Sequence, residues 1–152
     1  MGVLSIDWRK KWGVHTGASA DGRKNGETLS QNASATFGMD KAGMTGHIRS
    51  AATLPGVDAV NGSVLDLEMH ASPVQGESGT QALVASLETF LKEGGQSVHY
   101  NVLDTETLKD AQIHPEEHSN LQVRVCGWNE LFVNMSKEWQ DEFIARSQMH
   151  MR

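Results

Sequence analysis

Only one cysteine, Cys126, occurs in the 152 residues, which excludes an internal disulfide and any cysteine-built zinc or iron–sulfur site within the chain. A reducing, cytoplasmic setting is the expectation. Positive charge is also short: 13 Lys and Arg against 19 Asp and Glu leave a net charge of −6, and the basic residues are scattered. Without a basic face to collect phosphates, nucleic acid is not an expected partner. Long apolar runs are missing as well. The opening MGVLSIDWRKKWG carries charges where a secretory leader needs its apolar segment, and no stretch is apolar for long enough to span a bilayer. Met1-Gly2 is shared with myristoylation signals, but the Asp7-Trp8-Arg9 that follows reads as folded chain, so no membrane partner is expected either. Metal motifs are wanting too: His114 and His118 are four apart, but Pro115 breaks the helix that would put them on one face. They read as solvated loop residues, and the isolated histidines read as structural.

What the chain does have is 38% apolar residues, enough for one core, and 15 glycines that cluster in the first half and make it loop-rich. A short strand is expected over 3–8, a turn at Asp21-Gly22 and a helical piece over 45–53 that ends before Pro55. Ser63 to His70 alternates, with Leu65, Leu67 and Met69 on one face and Asp66, Glu68 and His70 on the other, the pattern of a half-buried strand. Leu83, Leu87, Phe90 and Leu91 recur at helical spacing between Ser78 and Glu93, and Gly94-Gly95 supplies the stop. A strand follows from Gln96 to Leu103, then a brief helix capped by Thr105, a strand over 121–125, and extended chain over 130–133. Ser136 is expected to cap a last helix that buries Trp139, Phe143 and Ile144. Well-formed elements thus share a chain whose first half has little apolar material of its own. A partner that completes the fold is the expectation.

The segment Arg124 to Phe132, RVCGWNELF, followed by MSKEWQDEFIARSQ, resembles the radical loop of glycyl radical enzymes, the pyruvate formate-lyase and diol dehydratase superfamily, where R-V-x-G-[YFW] precedes a helix ending in I-[AS]-R. Arg124, Gly127, Ile144, Ala145 and Arg146 fall into register with it. Upstream, GGQSVHYNVLDTETLKDAQIHPEEHSNL is similar to that family's G-G-Q, N-V strand, E-T-L and H-P-E segments. GASADGRKNGETLS and NGSVLDLEMHASP resemble further family segments, so the likeness covers most of the chain beyond Gly13. The resemblance implies an α/β fold that is the C-terminal portion of a ten-stranded barrel, completed by a larger partner chain. On that frame residues 1–93 complete the barrel and residues 94–152 form the glycyl radical domain.

The resemblance implies that Gly127 bears the radical. A radical on a backbone α-carbon is shared with the flanking amide groups only if that carbon flattens, and a Cβ would crowd the planar form. In this family an S-adenosylmethionine-dependent activase removes one α-hydrogen, so the modification is installed by an activating enzyme and no permanently bound cofactor is expected. The radical then passes to a cysteine on a Cys-x-Glu loop. This chain has no such loop, which places the thiol on a larger catalytic subunit. Cys126 is not that thiol on this reading, because adjacent α-carbons lie only ~3.8 Å apart and successive strand side chains point oppositely; it reads as a small buried filler. Arg124, Cys126 and Trp128 are the expected supports of the radical loop, with Trp128 shielding it from solvent. Asp21-Gly22-Arg23 reads as a turn with a surface salt bridge, and Asp7, Trp8 and Arg9 sit where the family has a pocket-lining strand, which makes them the candidates for meeting substrate. The expected role is the radical-bearing subunit of a split enzyme of lyase or dehydratase type. A spare part that repairs oxygen-cleaved enzyme, a piece of a longer enzyme, and a non-catalytic binding domain are the other readings.

Overall fold

The computed structural model describes residues 8–54, 56–125 and 127–149. The strand expected over 3–8 lies, but for Trp8, outside them, as does Asp7. Trp8 and Arg9 belong to no strand. Trp8 precedes a short helix, α1 (Arg9–Gly13), whose RKKW sequence lacks β-branched residues, and the Trp8 carbonyl accepts from the Trp12 N–H at 2.8 Å. The turn at Asp21-Gly22 is present, with Gly22 at φ 98°. Arg23 makes no surface salt bridge there: it is buried, and its guanidinium donates to the carbonyls of Gly17, Lys24 and Glu27, which ties the loop together from inside. Helix α2 (Gly43–Ala52) follows and buries Ile48, Ala51 and Ala52.

Strand β1 (Val64–His70) pairs in parallel with β2 (Ser97–Leu103) along its length, from Val64 opposite Ser97 to His70 opposite Leu103. Helix α3 (Gly76–Lys92) makes the crossover between them and ends at Gly94, φ 101°. The half-buried reading of β1 needs correction. Leu65, Leu67 and Met69 pack against Ile48, Ala51, Ala52 and Phe90, but Asp66 and Glu68 on the opposite face are buried too, at 0% and 2% exposure. Both faces of this strand are covered, as in most parallel sheets. By contrast α3 leaves Val84, Leu87 and Leu91 exposed, so much of its apolar stripe faces out of the chain.

Helix α4 (Thr105–Ile113) is capped by Asp104 and not by Thr105: the Asp104 carboxylate accepts from the Thr107 N–H at 2.9 Å, while the Thr105 hydroxyl is buried against that of Ser147. An antiparallel hairpin comes next, β3 (Gln122–Val125) and β4 (Trp128–Leu131). The extended stretch expected over 130–133 therefore starts earlier, and Phe132–Asn134 turns as a single 3-10 unit. Helix α5 (Lys137–Met149) buries Phe143 and Ile144, whereas Trp139 is half-buried, its ring covered by the Arg9 guanidinium 4.4 Å from the ring centre. Apolar side chains form two clusters. One joins α2, α3 and β1; the other joins Leu103 and Leu108 to Val123, Val125, Phe132, Phe143 and Ile144. The division between residues 93 and 94 falls in the connection from α3 to β2, so the parallel pair spans it.

Candidate functional site

The β3–β4 hairpin closes between Val125 and Trp128, which are paired across it, and Gly127 lies in the tight turn with φ +101°. A positive φ at this place in a two-residue hairpin loop disfavours a side chain by about 1 kcal/mol or more. Space does not: a Cβ added at Gly127 would meet nothing within 4 Å. Glycine here is demanded by backbone conformation and by nothing that packs on it. Gly127 is open to solvent in this chain. Trp128 is 47% exposed and borders a cleft of about 330 Å³ with Val125, Glu130, Met135 and Trp139. Cys126 lies outside the described residues. Arg124 reaches across the hairpin to the Asn129 carboxamide oxygen at 3.1 Å.

A family model described as glycine radical matches residues 29–133, a span that includes the whole hairpin and both parallel strands. The chain belongs to the glycyl radical enzyme family. It is 37% identical over 146 residues to the 4-hydroxyphenylacetate decarboxylase glycyl radical subunit of Clostridioides difficile, which covers 95% of this chain and 16% of that protein. Identity to the probable dehydratase YbiW of Escherichia coli is 36% over 151 residues, covering 99% of this chain and 18% of that one. The glycerol-bound B12-independent glycerol dehydratase of Clostridium butyricum superposes with a TM-score of 0.87 at 32% identity, over 96% of this chain and 19% of that structure. The chain thus spans less than a fifth of the relatives it matches.

The radical-family hairpin and the helices beside it rest on the polar face of the β1–β2 sheet, where Asp66, Glu68, His70 and Asn101 each hold a different element. Asp66 accepts from Gln31 at 3.2 Å and from Asn32, and meets His99 Nδ1 at 3.0 Å, which fixes the loop before β1. Glu68 meets Arg146 of α5 at 3.5 Å. His70 Nε2 lies 3.1 Å from the Asp104 carboxylate, the cap of α4. Asn101 engages the Arg124 backbone twice, its carboxamide donating to the carbonyl at 2.9 Å and accepting from the N–H at 2.8 Å.

The ion pairs extend beyond Glu68. Arg146 also donates to Glu142 at 2.9 Å, and Glu142 takes Arg9 at 3.3 Å. Burial pushes the Glu68 carboxyl up from its ordinary value, Arg146 opposes that, and Asp66 and Glu142 add to it. Loss of water would lower Arg146, but Glu68 and Glu142 outweigh it and hold the guanidinium charged. The Arg146 of the I-[AS]-R motif is therefore an internal strut. Arg9, expected beside substrate, is 3% exposed and committed to Glu142 and the Leu29 carbonyl. Its neighbour Trp8 is 49% exposed and carries Lys11 over its ring. His114 and His118 lie in the loop after α4, His114 exposed and His118 partly so, and both rest on the Asp110 carboxylate, at 2.9 and 2.7 Å. Sequence reasoning missed Glu68, Asn101 and Glu142 as members of this arrangement. The polar residues of the alternating strand were the available signal, read as solvent-facing.

Proposed function

We propose that this chain is the radical-bearing part of a glycyl radical enzyme of lyase type, storing the radical at Gly127 for a cysteine on a larger catalytic polypeptide. The observation that carries the proposal is the turn itself: the one glycine of the family motif sits exposed at a hairpin tip, where its backbone angle favours glycine and no neighbour blocks access. An activase using S-adenosylmethionine removes one α-hydrogen atom from Gly127. The resulting α-carbon radical takes the hydrogen atom of a thiol on the partner, which leaves a thiyl radical and a closed-shell glycine; the thiyl then abstracts hydrogen from substrate. The reverse transfer restores the store.

Completion by a larger polypeptide is supported by the parallel pair, because parallel sheets are normally broader than two strands and covered on both faces. It is supported again by the apolar side chains of Trp12, Val84 and Leu91, each at least half exposed. The decarboxylase and dehydratase relatives favour carbon–carbon or carbon–heteroatom cleavage, a lyase reaction. Likeness to these enzymes over 95% or more of the chain favours a catalytic part over a repair part.

The test is anaerobic incubation of the chain with a matched activase and S-adenosylmethionine, with and without the larger polypeptide, followed by paramagnetic resonance. A glycine-centred doublet is expected, and oxygen should then cut the chain at Gly127. No doublet under either condition refutes the proposal. Gly127→Ala should abolish the doublet and turnover while assembly survives, since only about 1 kcal/mol of backbone strain and no clash is introduced. Cys126→Ser should keep both.

A further inference from the structure

We infer that Asn101 is the positioning residue for the Gly127 hairpin, an inference that rests on the radical-store reading above. Among the described residues, the β3–β4 hairpin shares no strand pairing with the β1–β2 sheet. In place of a ladder, the buried carboxamide of Asn101 makes the two bonds that a neighbouring strand would make, to the N–H and the carbonyl of Arg124. Arg124 lies three residues before Gly127, roughly 10 Å along extended chain, so the clamp is close enough to set where the turn sits.

Among the described residues, apolar packing and a hydrogen bond just beyond β4, from Gln140 to the Phe132 carbonyl at 2.9 Å, also hold the hairpin, but neither engages the backbone of β3. Val123 and Val125, on either side of Arg124, pack into the apolar cluster, which decides the face of β3 that is buried but supplies no directional bond. The Arg124 guanidinium binds Asn129 inside the same hairpin and so ties it to nothing else. A one-residue slip would turn the valines outward, and the double amide bond resists it because donor and acceptor must both be met. Leu at 101 would fill the space with neither group. Gln would carry both on a side chain one methylene longer.

Position matters to the chemistry because hydrogen-atom transfer between the Gly127 α-carbon and a thiol requires the two in contact, and a small displacement slows it steeply. A clamp that acts on the backbone before the turn, and not on the reacting atom, is a positioning device.

The first arm of the test is amide hydrogen exchange on the full chain for wild type, Asn101→Leu and Asn101→Gln. Exchange over 122–131 should quicken about tenfold or more in Asn101→Leu, with α3 unchanged, and should return toward wild type in Asn101→Gln. No local change, or an equal change in α2 and α3, overturns the inference. The second arm follows the glycine doublet in deuterated solvent with the larger polypeptide present. The doublet comes from the remaining α-hydrogen, and each cycle of transfer to and from a deuterated thiol can replace that hydrogen and collapse the splitting. Asn101→Leu should slow the collapse per spin about tenfold while radical still forms. A collapse at the wild-type rate overturns the inference. No doublet in wild type defeats the radical-store reading instead, and the exchange arm still decides whether Asn101 holds the hairpin.

Discussion

The two faces of the β1–β2 sheet are bound in different ways. On one, Leu65, Leu67 and Met69 meet α2 and α3 through apolar contact, which fills volume and specifies little about direction. On the other, Asp66, Glu68, His70 and Asn101 each meet a different element through hydrogen bonds or charge. The apolar face keeps the sheet folded. The polar face orients what rests on it, and the hairpin carrying Gly127 is among those elements. The Gly127 hairpin is thus held by directional contacts in addition to the apolar cluster that Val123, Val125 and Phe132 join, whereas the far side of the sheet is held by apolar contact.

The largest effect should come from breaking the polar face at its most buried pair. Arg146→Met leaves Glu68 with its charge and without its partner, at a side-chain exposure of 3%, and should cost about 4 kcal/mol in denaturant unfolding of the full chain. Glu68→Gln should cost clearly less, because it removes the charge that burial already disfavours and leaves Arg146 its contact with Glu142. If the two variants were equally destabilised, the buried charge would not be the reason. On the apolar face, Leu67→Ala removes a side chain that is 1% exposed and should cost about 3 kcal/mol by the cavity it leaves. The two faces separate in what else changes. Leu67→Ala should leave hydrogen exchange of the hairpin close to wild type once global stability is allowed for, whereas Arg146→Met should loosen α5 selectively.

Much of this arrangement was legible in the sequence. Periodicity placed α3, β1 and β2 within a few residues, and the stop before Pro55 placed α2, although Leu87 and Leu91 of the α3 stripe stay exposed in this chain. The polar residues were misread, because alternation tells which residues share a face and not whether that face meets water. Asp66 and Glu68 look solvent-facing until Gln31, Asn32 and Arg146 arrive from segments far away in sequence. The Arg9 contact with Glu142 was invisible for the same reason, its partner being 133 residues distant. Gly127 was identified through the surrounding motif. Its hairpin, the positive φ and the absence of any packing neighbour are properties of the fold that the motif alone does not contain.

The smallest effect, and the most direct probe of the margin of the polar face, concerns Asp104. Its carboxyl is held below the ordinary range first by the Thr107 hydroxyl, then by the Thr107 N–H, with His70 adding to both. A lowered carboxyl stabilises the fold at pH values above the ordinary Asp value of about 3.9, and the contribution is lost as pH falls through the lowered value. Asp104→Ala should therefore cost about 1 kcal/mol near neutral pH, the usual worth of a helix cap, and the difference from wild type should shrink as pH falls below about 4. Asp104→Asn keeps an oxygen that can accept from Thr107 and should recover most of the neutral-pH stability without the pH dependence. Thermal unfolding of the three proteins between pH 7 and pH 3 checks this, and parallel curves for wild type and Asp104→Ala would show that the cap and its charge contribute nothing to the fold.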